Sequence, residues 1–148
     1  MSLADLCNRS PVTIAADASL VDAAQLMRNR HVGFLIVTPD GGEGPPIGVL
    51  TDRDIVIEVI SKGVDPTTVR ASDAMTREPL VVSMEAAPEQ VLAQMRAFGV
   101  RRAPVIDPAG RLVGVVALDD LLDWLADAIG NAAAVVRHEQ RVERQLRV

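Results

Sequence analysis

Apolar positions in this chain come in short runs and in helical stripes, and the two kinds alternate. Val12–Ile14 reads as a strand. The stripe Leu20, Ala23, Ala24 and Met27 predicts an amphipathic helix, opened by Ser19 with Asp22 three residues on, as in a capping box. Two further runs, Phe34–Thr38 and Ile47–Thr51, flank a Gly/Pro turn and read as paired strands. A helix over Asp52–Lys62 follows, stopped by Gly63. The same order then returns. Leu80–Ser83 predicts a strand, and Val91, Leu92 and Met95 mark a helix that starts at Pro88 and stops at Gly99. Ala103–Ile106 and Leu112–Ala117 are the next strands, and Leu118–Ile129 the closing helix, with Gly130 as its stop.

The recurrence is an internal repeat. At an offset of 68 positions, Arg9–Ile14 falls on Arg77–Val82 and Met27-Arg28 on Met95-Arg96. At an offset of 66, Ile47–Leu50 falls on Val113–Val116 and Asp54 on Asp120. The change of offset has a local cause: the loop Pro39–Pro46 is two residues longer than its counterpart, Asp107–Leu112. Each copy is therefore β-α-β-β-α, and the fold class is α/β (α+β). The divisions read as 5–63 for the first copy, 64–73 for a connector and 74–130 for the second copy. The remainder, 131–148, reads as an added amphipathic helix, with Val135, Val142 and Leu146 on one face. The near-continuous apolar middle strands call for burial on both faces. Half a chain buries such a sheet poorly, so the copies should pack face to face about a pseudo-twofold axis.

Composition narrows the function. With 49% apolar and 24% charged residues, the 148-residue chain can form a core without staples. Its net charge of −5 disfavours a general polyanion binder, and 2% aromatics leave no base-stacking platform, so no nucleic-acid partner is expected. Cys7, the single cysteine, allows no intrachain disulfide. No secretory signal is apparent, and no apolar stretch approaches the ~18 residues that span a bilayer, so a cytoplasmic protein without a membrane partner is expected. Cys7, His31 and His138 have no metal-ligand spacing, and no nucleophile has a base motif beside it. Neither a metal nor an enzymatic activity is expected. His31 and Cys7 read as packing residues.

Each copy carries one motif at a strand-to-helix corner. Gly48-Val49-Leu50-Thr51-Asp52-Arg53-Asp54 ends a strand and starts a helix, where free N–H groups and the helix dipole favour a phosphate. Thr51 adds a hydroxyl, Asp54 a carboxylate suited to the two hydroxyls of a ribose, and Gly48 room for close approach. Val12 and Ile14 can flank a flat base, and Arg101 and Arg102 can neutralise phosphate. Each has a structural rival. An Asp in a first helical turn stabilises the helix by itself by ~0.3–1 kcal/mol, Thr51 is a natural cap, and the glycines suit the turn. Gly114–Asp120 repeats the motif with Ala117 in place of the Thr, so Gly114 and Asp120 mark a second, weaker site.

Two such motifs in a tandem repeat resemble the CBS domain family, whose paired copies form a Bateman module. The resemblance covers roughly residues 5–128, rests on Gly48–Asp54 and Gly114–Asp120, and extends to Gly99–Asp107 with its basic pair before Pro104-Val105. It resembles the stand-alone bacterial members most. It implies an adenosine ligand (AMP, ADP or ATP) between the copies, held by Gly48, Thr51, Asp54, Arg53, Val12, Ile14, Arg101, Arg102 and Pro104. S-adenosylmethionine, NAD and cyclic dinucleotides share the adenosine moiety. The resemblance implies no required cofactor, a homodimer, and output in trans to an unidentified effector protein. The alternative is a ligand-free dimeric scaffold.

Overall fold

The computed structural model describes residues 1–147. The first half consists of β1 (Thr13–Ala15), α1 (Leu20–Arg30), β2 (Phe34–Thr38), β3 (Gly48–Thr51) and α2 (Asp52–Ile55), which widens into a π turn over Val56–Ile60. A short helix α3 (Ala71–Ala74) and strand β4 (Thr76–Arg77) follow. The second half consists of β5 (Val82–Ser83), α4 (Pro88–Phe98), β6 (Arg102–Ile106), β7 (Leu112–Ala117) and α5 (Leu118–Leu146). The strands form two sheets, β1-β2-β3-β4 and β5-β6-β7. In both, the first strand runs parallel to the second and the second antiparallel to the third, as a duplicated unit requires.

Local chemistry explains the helix ends. Ser19 Oγ accepts the Asp22 N–H at 3.1 Å and starts α1. Pro88 occupies the first turn of α4, and Gly99, at φ 67°, ends it in the left-handed conformation. His31 ends α1 in the same conformation at φ 54° without the freedom of a glycine. Gly130 does not end α5: the helix passes through it to Leu146. The separate tail helix expected from the sequence is the second half of this one element. A stopping glycine takes a positive φ, and Gly130 keeps the helical conformation among alanines that favour it.

Each half has its own core. Leu20, Leu35, Val37 and Leu50 pack in the first, and Val82, Val91, Val105 and Leu121 in the second. Burial on both faces holds for the middle of β2 and β6, whereas β3 and β7 alternate buried and half-buried positions. The opening segments of the two copies are exchanged in space. Leu3 is buried in the second core, its N–H donating to the Ala86 carbonyl, and Asn8 and Val115 exchange two 2.9 Å backbone bonds. In return, α3 and β4 complete the first half: the Ala71 N–H donates to Ala18 at 2.7 Å, and β4 pairs with β3.

These exchanged arms explain two glycines. A Cβ on Gly114 would stand 2.6 Å from the Asn8 carbonyl oxygen, and one on Gly48 would run into the Met75 side chain. The long loop of the first copy adds another link, with the Thr13 hydroxyl donating to the Gly41 carbonyl and the Leu112 N–H to Glu43 at 3.2 Å.

Candidate functional site

The two strand-to-helix corners differ in one atom set. At the first, Thr51 Oγ1 accepts the Asp54 N–H at 3.1 Å, and Asp54 Oδ2 accepts the Thr51 N–H at 2.8 Å. The two side chains cap α2 reciprocally. At the second, Asp120 Oδ2 accepts the Ala117 N–H at 2.9 Å, but Ala117 has no oxygen with which to return the bond. The start of α5 therefore lacks the hydroxyl cap of α2: the Leu118 N–H donates to the Arg101 carbonyl at 2.7 Å, and no side chain caps the N–H groups that follow.

A cleft of about 320 Å³ opens beside this second corner, at the small end of the ~300–1,000 Å³ range of small-molecule pockets. Both halves line it. Val12, Val32, Phe34 and Ile36 come from the first; Arg102, Val115, Ala117 and Asp120 come from the second; Asn8 and Ser10 come from the exchanged arm and the segment after it. His31 also lines it, exposed at the left-handed end of α1. It is no packing residue. The arrangement offers apolar walls from facing strands, a carboxylate at a helix start, and two basic side chains. Such a set can hold a flat apolar ring, accept from hydroxyls and neutralise an anion.

The site residues expected from sequence divide accordingly. Val12, Arg102 and Asp120 line this cleft together. Thr51 and Asp54 are not among its lining residues, so the structure brings Val12 to the carboxylate of the other copy. Ile14 packs in the first core and is not among the residues that line the cleft. Pro104 is buried in β6, and Gly48 and Gly114 admit the crossing arms. Arg53 is exposed on α2, and Arg101 meets Asp119 at 3.6 Å on the surface. Asn8, Ser10, His31 and Phe34 were absent from the expectation. Only their offset from motif residues in the repeat could have signalled them. Cys7 packs beside Gly114, and burial pushes its thiol above the ordinary value.

Comparison with known proteins bears on this geometry. The CBS domain profile matches residues 3–61 and 71–127. The chain belongs to the CBS domain family. Hypoxic response protein 1 of Mycobacterium tuberculosis is 35% identical over 123 residues, spanning 83% of this chain and 84% of that protein. A crystal structure of Hypoxic Response Protein I with two coordinated zinc ions superposes with a TM-score of 0.74 at 33% identity, covering 83% of this chain and 98% of that one. An uncharacterized protein of Methanopyrus kandleri is 31% identical over 122 residues, 82% of this chain but 61% of that longer protein. A CBS domain protein of Pyrobaculum aerophilum complexed with AMP shares the fold, with a TM-score of 0.74 at 23% identity over 86% of this chain and 99% of that one. Among the described residues, no three His, Cys, Asp or Glu side chains gather where a metal ion could sit. No helix of the described residues is long and apolar enough to cross a membrane.

Proposed function

We propose that this chain is a non-catalytic regulatory module that binds an adenosine-containing nucleotide (AMP, ADP or ATP) in the cleft between its two CBS copies. The observation that carries the reading is a cleft built by both halves, with Asp120 at a helix start that has no hydroxyl cap. Val12 and Ile36 on one side and Val115 on the other flank the purine. Asp120 accepts from the ribose hydroxyls, and the N-terminus of α5 with His31 and Arg102 receives the phosphate. The AMP complex of the archaeal relative supports the ligand class. The Thr51–Asp54 corner is the pseudosymmetric second site. A ligand there must replace the capping bonds that these residues give each other.

Occupancy regulates by differential affinity. A ligand touching both halves favours the arrangement it fits best, and shifts the equilibrium only by that difference. The exchanged arms and the Glu43–Leu112 bond carry the change across the halves. The output passes in trans from a cytoplasmic homodimer to an effector protein.

A thermal-shift screen against AMP, ADP, ATP and S-adenosylmethionine tests the reading. A ligand present at 100 times its Kd stabilises the fold by about 2.7 kcal/mol, a clear rise in Tm. A melting temperature unmoved by every adenosine ligand favours the ligand-free scaffold instead, a reading that draws on the self-capped Thr51–Asp54 corner.

A further inference from the structure

Helix α5 carries a charge pattern that a lone helix does not explain. Its 29 residues rise about 1.5 Å each, giving a rod of roughly 43 Å. Its first part holds Asp119, Asp120, Asp123 and Asp127 and no base; its last part holds Arg137, Arg141 and Arg144, interleaved with Glu139 and Glu143, and Arg147 follows as the C-cap. The macrodipole accounts for charges in the first and last turns only. Asp127 and Arg137 lie well inside those limits. Like charges also repeat at i, i+4, with Asp123 above Asp127 and Arg137 above Arg141, and this spacing destabilises a helix on its own.

Four of these charges fall on one line. Asp123, Asp127, Gly130, Ala134, Arg137 and Arg141 follow a 4-3-4-3-4 spacing, the period of a helix–helix seam. The line runs along the solvent side, away from fully buried Leu121, and Asp123, Asp127, Arg137 and Arg141 are all exposed. None of the four is in an ion pair among the described residues. Asp123 and Asp127 line a shallow cleft with Met1, Asp5 and Leu6, and a straight helix cannot fold its Arg end back onto its Asp end, so no Arg of this helix reaches them.

The pattern is also self-complementary. A twofold axis crossing the line at the level of Ala132 sets Asp123 opposite Arg141 of a second copy, Asp127 opposite its Arg137, and Gly130 opposite its Ala134. Every charged pair is of opposite sign. A parallel alignment would set Asp on Asp and Arg on Arg. Gly130 fits the same arrangement. A glycine inside a helix costs roughly 0.5–1 kcal/mol relative to alanine, and a Cβ there would meet nothing of this chain within 4 Å. A second helix passing at its closest point gives that missing side chain a purpose.

We propose that α5 pairs antiparallel with α5 of a second copy of this chain, through an Asp/Arg seam centred on the Gly130–Ala134 contacts. This deepens the homodimer part of the reading above by naming its surface, and needs no ligand.

Two measurements on the full chain test it. The first is sedimentation velocity on the wild type, on D123R/D127R, on R137E/R141E, and on the last two mixed. The wild type should form dimers that weaken as salt rises. Each reversed variant should self-associate roughly tenfold or more weakly, and the mixture should recover a heterodimer. Helix content by circular dichroism controls for folding. The second uses a Cys7→Ser background and mixes Gly130→Cys with Ala134→Cys chains under mild oxidation. The antiparallel seam gives the mixed disulfide and little from either chain alone. A monomeric wild type overturns both the seam and the homodimer. Reversed variants that dimerise like the wild type, a mixture that fails to pair, or disulfides within each single variant overturn the seam and leave the nucleotide reading standing.

Discussion

At the Thr51–Asp54 corner the side chains satisfy each other, whereas at the equivalent corner Ala117 leaves Asp120 to cap alone. Restoring the hydroxyl with Ala117→Thr should therefore stabilise the protein by about 1 kcal/mol, the usual worth of a threonine over an alanine at an N-cap, read from urea denaturation. A lower midpoint would mean that the α5 start cannot take the geometry of the α2 start. Thr38 presents the opposite case. It is fully buried at the end of β2, and its hydroxyl has no hydrogen-bond partner among the described groups. Thr38→Val keeps the shape and removes the unmet polar group, so stability should rise by about 1 kcal/mol. Cys7 carries a pH prediction. Burial disfavours its thiolate, with Arg9 opposing, and the net shift is upward. Its alkylation rate should then rise at a higher pH than that of a free cysteine, and equal pH profiles would contradict the burial. At this scale the sequence was legible wherever chemistry is local: Ser19, Pro88 and Gly99 cap as their residue types require. His31 was not: its left-handed turn is closed by the His31 and Val32 N–H groups donating to the Met27 carbonyl, and a histidine does not mark such a stop as a glycine does.

Among the elements, strands and helices follow the apolar pattern closely, since period and turn residues are read from neighbouring positions. Two features escaped that reading. Gly130 resembled a stop but lies inside α5, because a glycine ends a helix only when its φ turns positive. The exchanged arms depend on contacts from Leu3 to Ala86 and from Ala18 to Ala71 that no local period encodes. Those arms make a prediction. A methyl on Gly114 meets the carbonyl oxygen of Asn8 at 2.6 Å, and backbone is a poor yielder. Gly114→Ala should cost roughly 1–3 kcal/mol, as overpacking does, and should loosen the N-terminal arm toward proteolysis. An unchanged melting temperature would show that the arm is not tightly seated.

For the whole molecule, the duplication that is visible as a repeat in sequence becomes two cores joined by crossed arms, with a cleft where the halves meet. The candidate site was legible in its parts. Val12 and Arg102, expected at the main site, and Asp120, expected at the weaker one, all line the cleft. Their pairing was not legible, because a strand of one copy faces the helix start of the other, and that choice depends on how the halves pack. The central claim is that Asp120 holds the ligand's ribose. Isothermal titration of AMP into the wild type, Asp120→Ala and Asp54→Ala decides it. Removing charge-assisted bonds worth about 1.5–3 kcal/mol should weaken binding roughly 10- to 150-fold in Asp120→Ala, with the larger loss there than in Asp54→Ala. Wild-type affinity in Asp120→Ala would contradict the account.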